Sequence, residues 1–85
     1  MGEITIYTTA LCPYCHRAKR LLDQKTATYK EIDVGDNYKL REELRIKTGG
    51  RTSVPQIWIG DLHIGGCDDL YALEHTGKLD ALLFS

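Results

Sequence analysis

The sequence has no surplus of charge of either sign: 11 basic residues against 12 acidic ones leave a formal net charge of -1. No global field draws in nucleic acid or an anionic membrane, so neither is an expected partner and any electrostatic function must be local. No apolar run approaches the roughly 18 residues of a membrane span. Met1-Gly2-Glu3-Ile4 lacks the basic-then-apolar order of a signal peptide, and Gly2 lacks the Ser or Thr of a myristoylation pattern at the position where Ile6 stands. A cytoplasmic, reducing location is the expectation. Repeats, linkers and low-complexity stretches are also missing, which leaves residues 1–85 as one domain and a monomer as the expected state. Cysteine occurs three times. An odd count cannot close into a full set of internal disulfides, which argues against a small secreted scaffold. In a reducing compartment, closely spaced cysteines point instead to catalysis or metal binding.

What is present fits a folded domain. Apolar residues make up 42% and charged residues 27% of the chain, near the soluble globular average and unlike a disordered tail. Glu3 to Thr8 is β-branched and aromatic, with Ile4 and Ile6 on one face and Tyr7 on the other, which predicts a strand. Pro13 suits a first helical position, and Tyr14, Ala18, Leu21 and Leu22 recur at i, i+4, i+7 and i+8, which predicts a helix from Pro13 to Lys25. Tyr29 to Asp33 alternates as a second strand. Asp36 or Asn37 can cap a charged helix to Thr48 whose core face is Leu40 and Leu44. Strand, helix and strand argue a right-handed crossover with the first two strands parallel. Gln56–Ile59 and Leu62–Ile64 flank Gly60-Asp61 as a hairpin. A third helix is expected from Cys67-Asp68-Asp69 to a stop at Gly77, with a last turn or two carrying Leu79, Leu82 and Leu83. The order is βαβαββα, an α/β fold.

The chemistry-bearing residues are Cys12, Pro13, Tyr14 and Cys15, a C-x-x-C at a strand–helix junction. Two cysteines three apart at a helix start can reach disulfide distance, and the first meets the unsatisfied N–H groups and positive dipole end of the helix. Arg17, Lys19, Arg20 and Lys25 against Asp23 alone make this helix basic. Cys12 is therefore expected to be acidic. An ordinary thiol with a pKa of about 8.5 is only roughly 3% ionised at neutral pH. Lowering the pKa by about three units ionises nearly all of it, but a Brønsted slope of about 0.5 removes a similar factor in nucleophilicity. The net advantage lies in leaving: a low-pKa Cys12 is readily displaced from a mixed disulfide. Cys15, one turn further in, is the natural resolving thiol. A zinc module built from this pair with His63 and Cys67 is the other reading, although the 47 intervening residues far exceed the spacing of compact zinc sites.

Three segments together, CPYC at 12–15, SVPQIWI at 53–59 and GGCDDL at 65–70, resemble the dithiol glutaredoxins, in particular the small bacterial kind, and the likeness runs along essentially the whole chain. The resemblance implies a thioredoxin-like fold, a four-stranded mixed sheet with helices on both faces. It implies a glutathione-dependent thiol–disulfide oxidoreductase with Cys12 and Cys15 catalytic, no bound cofactor or metal, and glutathione as co-substrate. Its further partners are glutathionylated or disulfide-containing proteins. In that family the proline matching Pro55 is cis and Val54 pairs its backbone with the cysteinyl part of glutathione. Ser53 takes the place of the usual Thr. Gly66, Cys67 and Asp68 resemble the γ-glutamyl site, with helix N–H groups for the carboxylate and Asp68 for the ammonium; Asp69 reads equally as a helix-start charge. Tyr14 forms a wall of the groove and Arg51 serves the glycyl carboxylate or lies solvated in its loop. The family's usual Lys three positions before the first cysteine is Thr9 here. Cys67 reads as a small residue in a tight corner rather than a third catalytic thiol, and His16 as a solvated helix residue.

Overall fold

The computed structural model describes residues 3–84; Met1 and Gly2, read above for leader and lipidation signals, lie outside the described residues, as does Ser85. The elements run β1 (Ile4–Thr8), α1 (Pro13–Gln24), β2 (Tyr29–Asp33), α2 (Tyr38–Thr48), β3 (Gln56–Ile59), β4 (Leu62–Gly65), α3 (Cys67–His75) and α4 (Lys78–Phe84). They form one sheet in the order β2-β1-β3-β4. β1 lies parallel to β2, as a helical crossover requires, and antiparallel to β3, which pairs antiparallel with β4.

The alternation in β1 decides which helices lie where. Ile4 and Ile6, with Ile57 and Ile59 of β3, pack against Ala18, Leu21 and Leu22 of α1, Leu70 of α3, and Leu79 and Leu83 of α4. Tyr7 and Trp58 point to the other face and meet Val34 and Leu44, with Leu40 packed alongside. Both faces of the sheet are thus covered, and every residue of β3 is buried. Trp58 meets Tyr7 edge to face, with ring centroids 5.3 Å apart, and stacks on His63 at 4.5 Å.

At the C-terminus the expected last turn or two is the seven-residue helix α4. Gly77, at φ +75°, turns the chain after α3. Leu79, Leu82 and Leu83 then complete the same core, and the burial they gain extends a segment whose own length would not sustain a helix in water. Lys25, the residue closing α1, reaches Glu74 of α3 and Asp80 of α4 at 2.8 Å each, tying the helical face together. Both carboxylates raise its pKa. The α2 cap is Asn37, whose side chain accepts the Leu40 N–H at 3.1 Å.

Glu31 on the edge strand accepts from the buried Thr8 hydroxyl at 2.7 Å and from Lys19 at 2.9 Å. The Thr8 hydrogen bond, then Lys19, holds its carboxyl below the ordinary value of 4.5. A depressed folded-state pKa stabilises the fold above the unfolded pKa, and that stabilisation is lost as pH falls through the folded value. Glu31→Gln is therefore expected to lower Tm modestly at neutral pH and to flatten the fall in Tm below about pH 4.5, as thermal melts across an acid pH series will register.

Candidate active site

The loop after β1 delivers Cys12 to the start of α1, with Pro13 at the first helical position where no N–H is needed. Cys12 is the N-cap in extended geometry, and its sulfur accepts the Cys15 N–H at 3.0 Å. The same donor stabilises a Cys12 thiolate once the pair is reduced. Cys12 and Cys15 form a disulfide with Cα atoms 5.2 Å apart. Cys15 is wholly buried, and Cys12 retains a thin exposed edge. The Val54–Pro55 peptide bond is cis, and the Val54 carbonyl oxygen lies 3.8 Å from Cys12 Sγ.

The expected local field is more finely divided than the charge count of α1 suggested. Lys19 is engaged by Glu31 and Lys25 by two carboxylates, because tertiary contacts bring acids from β2, α3 and α4 onto the basic helix. Arg17 sits over the rings of Tyr14 and Tyr71, 5.9 and 5.3 Å from their centroids, and so steadies the exposed Tyr14 ring. Beside the helix terminus itself, Arg17 keeps its charge close enough to the site to act on Cys67. His16, expected to be solvated, is exposed but bonds the Ala10 carbonyl through Nε2 at 3.2 Å.

All eight residues singled out beyond the cysteine pair line one groove of about 200 Å³: Tyr14, Arg51, Ser53, Val54, Pro55, Gly66, Cys67 and Asp68. Gln56 and Asp69 also line it. Gln56 was missed, although a polar residue opening an otherwise apolar strand is a visible signal. Asp69 accepts the Gly66 N–H at 3.0 Å and so holds the start of α3; Asp68 lies exposed on the groove. The first N–H groups of α3 have no carbonyl partner within the helix and suit a carboxylate. Cys12 lies beside the groove and lines a second cavity of about 270 Å³ with Ala10, Leu11, Pro13 and His16. Thr9 belongs to a third cavity, with Asp36 and Arg41.

His63 and Cys67 do not join the C-x-x-C: among the described residues no group of three or more His, Cys, Asp or Glu side chains could hold a metal ion. Likewise, no described helix is long and apolar enough to cross a membrane. Burial pushes the Cys67 thiol above its ordinary pKa, Arg17 opposes this and Asp68 adds to it. In the oxidised protein, where Cys67 is the free cysteine, alkylation by iodoacetamide is expected to be at least about tenfold slower than at an exposed thiol, because burial and loss of thiolate both act against it. Mass spectrometry of timed samples measures this directly.

A disulfide at a helix N-terminus, faced by a cis-proline and carried on a mixed sheet between helical layers, defines a thiol–disulfide oxidoreductase of thioredoxin-like fold. The glutaredoxin family model matches residues 4–64. Over 83 residues the chain is 59% identical to a glutaredoxin of Pseudomonas aeruginosa, covering 98% of each protein. It is 55% identical to glutaredoxin 3 of Escherichia coli over 83 residues, 98% of this chain and 99% of that one. A crystal structure of a buckwheat glutaredoxin–glutathione complex superposes with a TM-score of 0.85 at 34% identity, covering 96% of this chain and 76% of that one. The chain belongs to the glutaredoxin family, whose members are thiol–disulfide oxidoreductases that use glutathione as substrate.

Proposed function

We propose that this chain reduces glutathione mixed disulfides and protein disulfides at Cys12, with Cys15 as resolving thiol and glutathione as the electron donor. One observation carries the reading: Cys12 Sγ, which keeps an exposed edge, lies 3.8 Å from the carbonyl oxygen of Val54, a residue that lines the groove with Tyr14, Pro55 and Asp68. A thiolate displacement runs through three sulfurs in line with the attacked glutathionyl sulfur in the middle, so glutathione and the leaving group both extend from the exposed side of Cys12 Sγ. The exposed edge of Cys12 and the groove beside Val54 supply the room.

The Cys12 thiolate attacks the glutathionyl sulfur, the S–S bond of the mixed disulfide breaks, and the substrate leaves as a thiolate that takes a proton from solvent. The Cys12–glutathione disulfide is then attacked by a second glutathione thiolate, which gives oxidised glutathione and regenerates Cys12. Alternatively, Cys15 attacks Cys12 Sγ, releases glutathione and forms the disulfide, which two glutathione molecules reduce in turn. A protein disulfide is opened by Cys12 and resolved by Cys15 in the same manner.

Val54, before the cis-proline, offers its backbone to the tripeptide. The α3 N-terminus and Asp68 suit the γ-glutamyl carboxylate and ammonium, and Arg51 the glycyl carboxylate. Cys67 serves through its backbone, Gly66 permits close approach, and Ser53 supplies a hydroxyl at the groove wall. The reading includes a cytoplasmic monomer of one domain over residues 1–85, with no resident cofactor or metal. Turnover of a glutathionylated peptide with glutathione as donor tests it: multiple turnovers are expected, and none by the purified reduced protein would overturn the proposal.

A further inference from the structure

Gln56 opens β3 with its side chain buried; the residue is 2% exposed in a strand otherwise made of Ile, Trp and Ile. A buried amide is destabilising unless its polar ends are bonded, and packing alone would be served by an apolar residue. Both ends are bonded. Gln56 Oε1 lies 2.8 Å from His63 Nε2, and Gln56 Nε2 donates to Ser53 Oγ at 3.2 Å. The Gln56 carbonyl oxygen is only an acceptor, so the His63 ring carries a proton on Nε2. The ring is held for this by stacking on Trp58, which also carries Lys47 Nζ 4.7 Å from its centroid.

The polarity of the chain has a consequence at its far end. Ser53 Oγ accepts from Gln56, so its own proton is left for another acceptor, and Ser53 is exposed on the groove. We propose that His63, acting through Gln56, fixes the Ser53 hydroxyl as a donor toward a peptide carbonyl or carboxylate oxygen of the ligand. This makes His63, outside the groove, a positioning residue for binding. The inference rests on the groove being the glutathione site. Without the His63 N–H the Gln56 amide can turn over, present its oxygen to Ser53 and draw the hydroxyl proton inward, leaving lone pairs where the ligand brings an oxygen.

Steady-state kinetics of the full chain with a glutathionylated peptide test the relay. His63→Phe keeps an aromatic ring against Trp58 and removes the donor; KM for the peptide is expected to rise about three- to tenfold, the effect of one neutral hydrogen bond, with kcat unchanged. Ser53→Ala should raise KM equally, the double variant should be no worse than Ser53→Ala, and His63→Gln, which restores an N–H, should recover the wild-type KM. Should His63→Phe not fold, Gln56→Met interrupts the same chain and is expected to give the same KM. An unchanged KM in folded His63→Phe or Gln56→Met while Ser53→Ala raises it, or effects that multiply in the double variant, would overturn the relay and leave the groove reading standing. Wild-type protein that does not turn over the peptide would instead remove the groove reading itself.

Discussion

Cys12→Ser is expected to lower turnover of both glutathionylated peptides and protein disulfides by at least about a thousandfold, because a serine hydroxyl is scarcely ionised at neutral pH and forms no disulfide. Cys15→Ser is expected to divide the two activities. Removal of glutathione from a mixed disulfide should stay within about tenfold of wild type, since a second glutathione can resolve Cys12 from the groove side. Reduction of protein disulfides should fall much further, because the Cys12–protein intermediate loses a resolving thiol held at an effective concentration no free thiol in solution reaches. The geometry motivates the asymmetry: Cys15 is wholly buried whereas Cys12 keeps an exposed edge beside the Val54 carbonyl. Parallel assays of the two variants on the two substrate classes measure it. Equal losses in both variants would contradict the division of roles.

The second large effect concerns the floor of the groove. Gly65 ends β4 at φ +115°, and a Cβ placed there collides with the Asp69 carboxylate. That carboxylate accepts the Gly66 N–H at 3.0 Å and holds the start of α3. Gly65→Ala therefore meets backbone strain and displaces a helix cap together, an expected cost of about 2–4 kcal/mol. For a domain of this size that is a fall in Tm of roughly 10 °C or more. Glutathione binding should weaken with it, since Gly66, Cys67 and Asp68 follow directly. Gly50→Ala separates the two causes: Gly50 has φ +125° with nothing near its absent side chain, so it bears the strain without the collision. A smaller Tm loss in Gly50→Ala, and partial relief of Gly65→Ala by Asp69→Ala, are the outcomes that thermal melts and binding titrations should give. Equal losses at both glycines would remove the collision from the explanation.

Much of the local structure was readable along the chain. The strands, a helix cap at Asp36 or Asn37, the hairpin at Gly60-Asp61 and the cysteine pair ahead of Pro13 depend on residues within one or two turns of each other. The signals are therefore local and largely undisturbed by folding. The groove residues at 51–55 and 66–68 were reached differently, through family resemblance, because nothing local says that two loops more than ten residues apart converge on Cys12. Asp69 illustrates the boundary: a helix-start acid by sequence, it acquires a distinct role only once the Gly66 N–H is seen against its carboxylate.

By itself the sequence determined the chemistry: a thiol pair at a helix N-terminus, an alternating β1 with two apolar faces, and an acidic start to a third helix. The tertiary structure alone decided how that chemistry is surrounded. It gave the leucines of α4 a core to cover, and it brought Glu31, Glu74 and Asp80 onto a helix that is basic in sequence. It also joined His63 to Ser53 through a buried Gln56. Propensity and capping act between near neighbours in the chain. Burial, ion pairing and hydrogen-bond relays act between near neighbours in space, and the β2-β1-β3-β4 order is what makes the two kinds of neighbour differ.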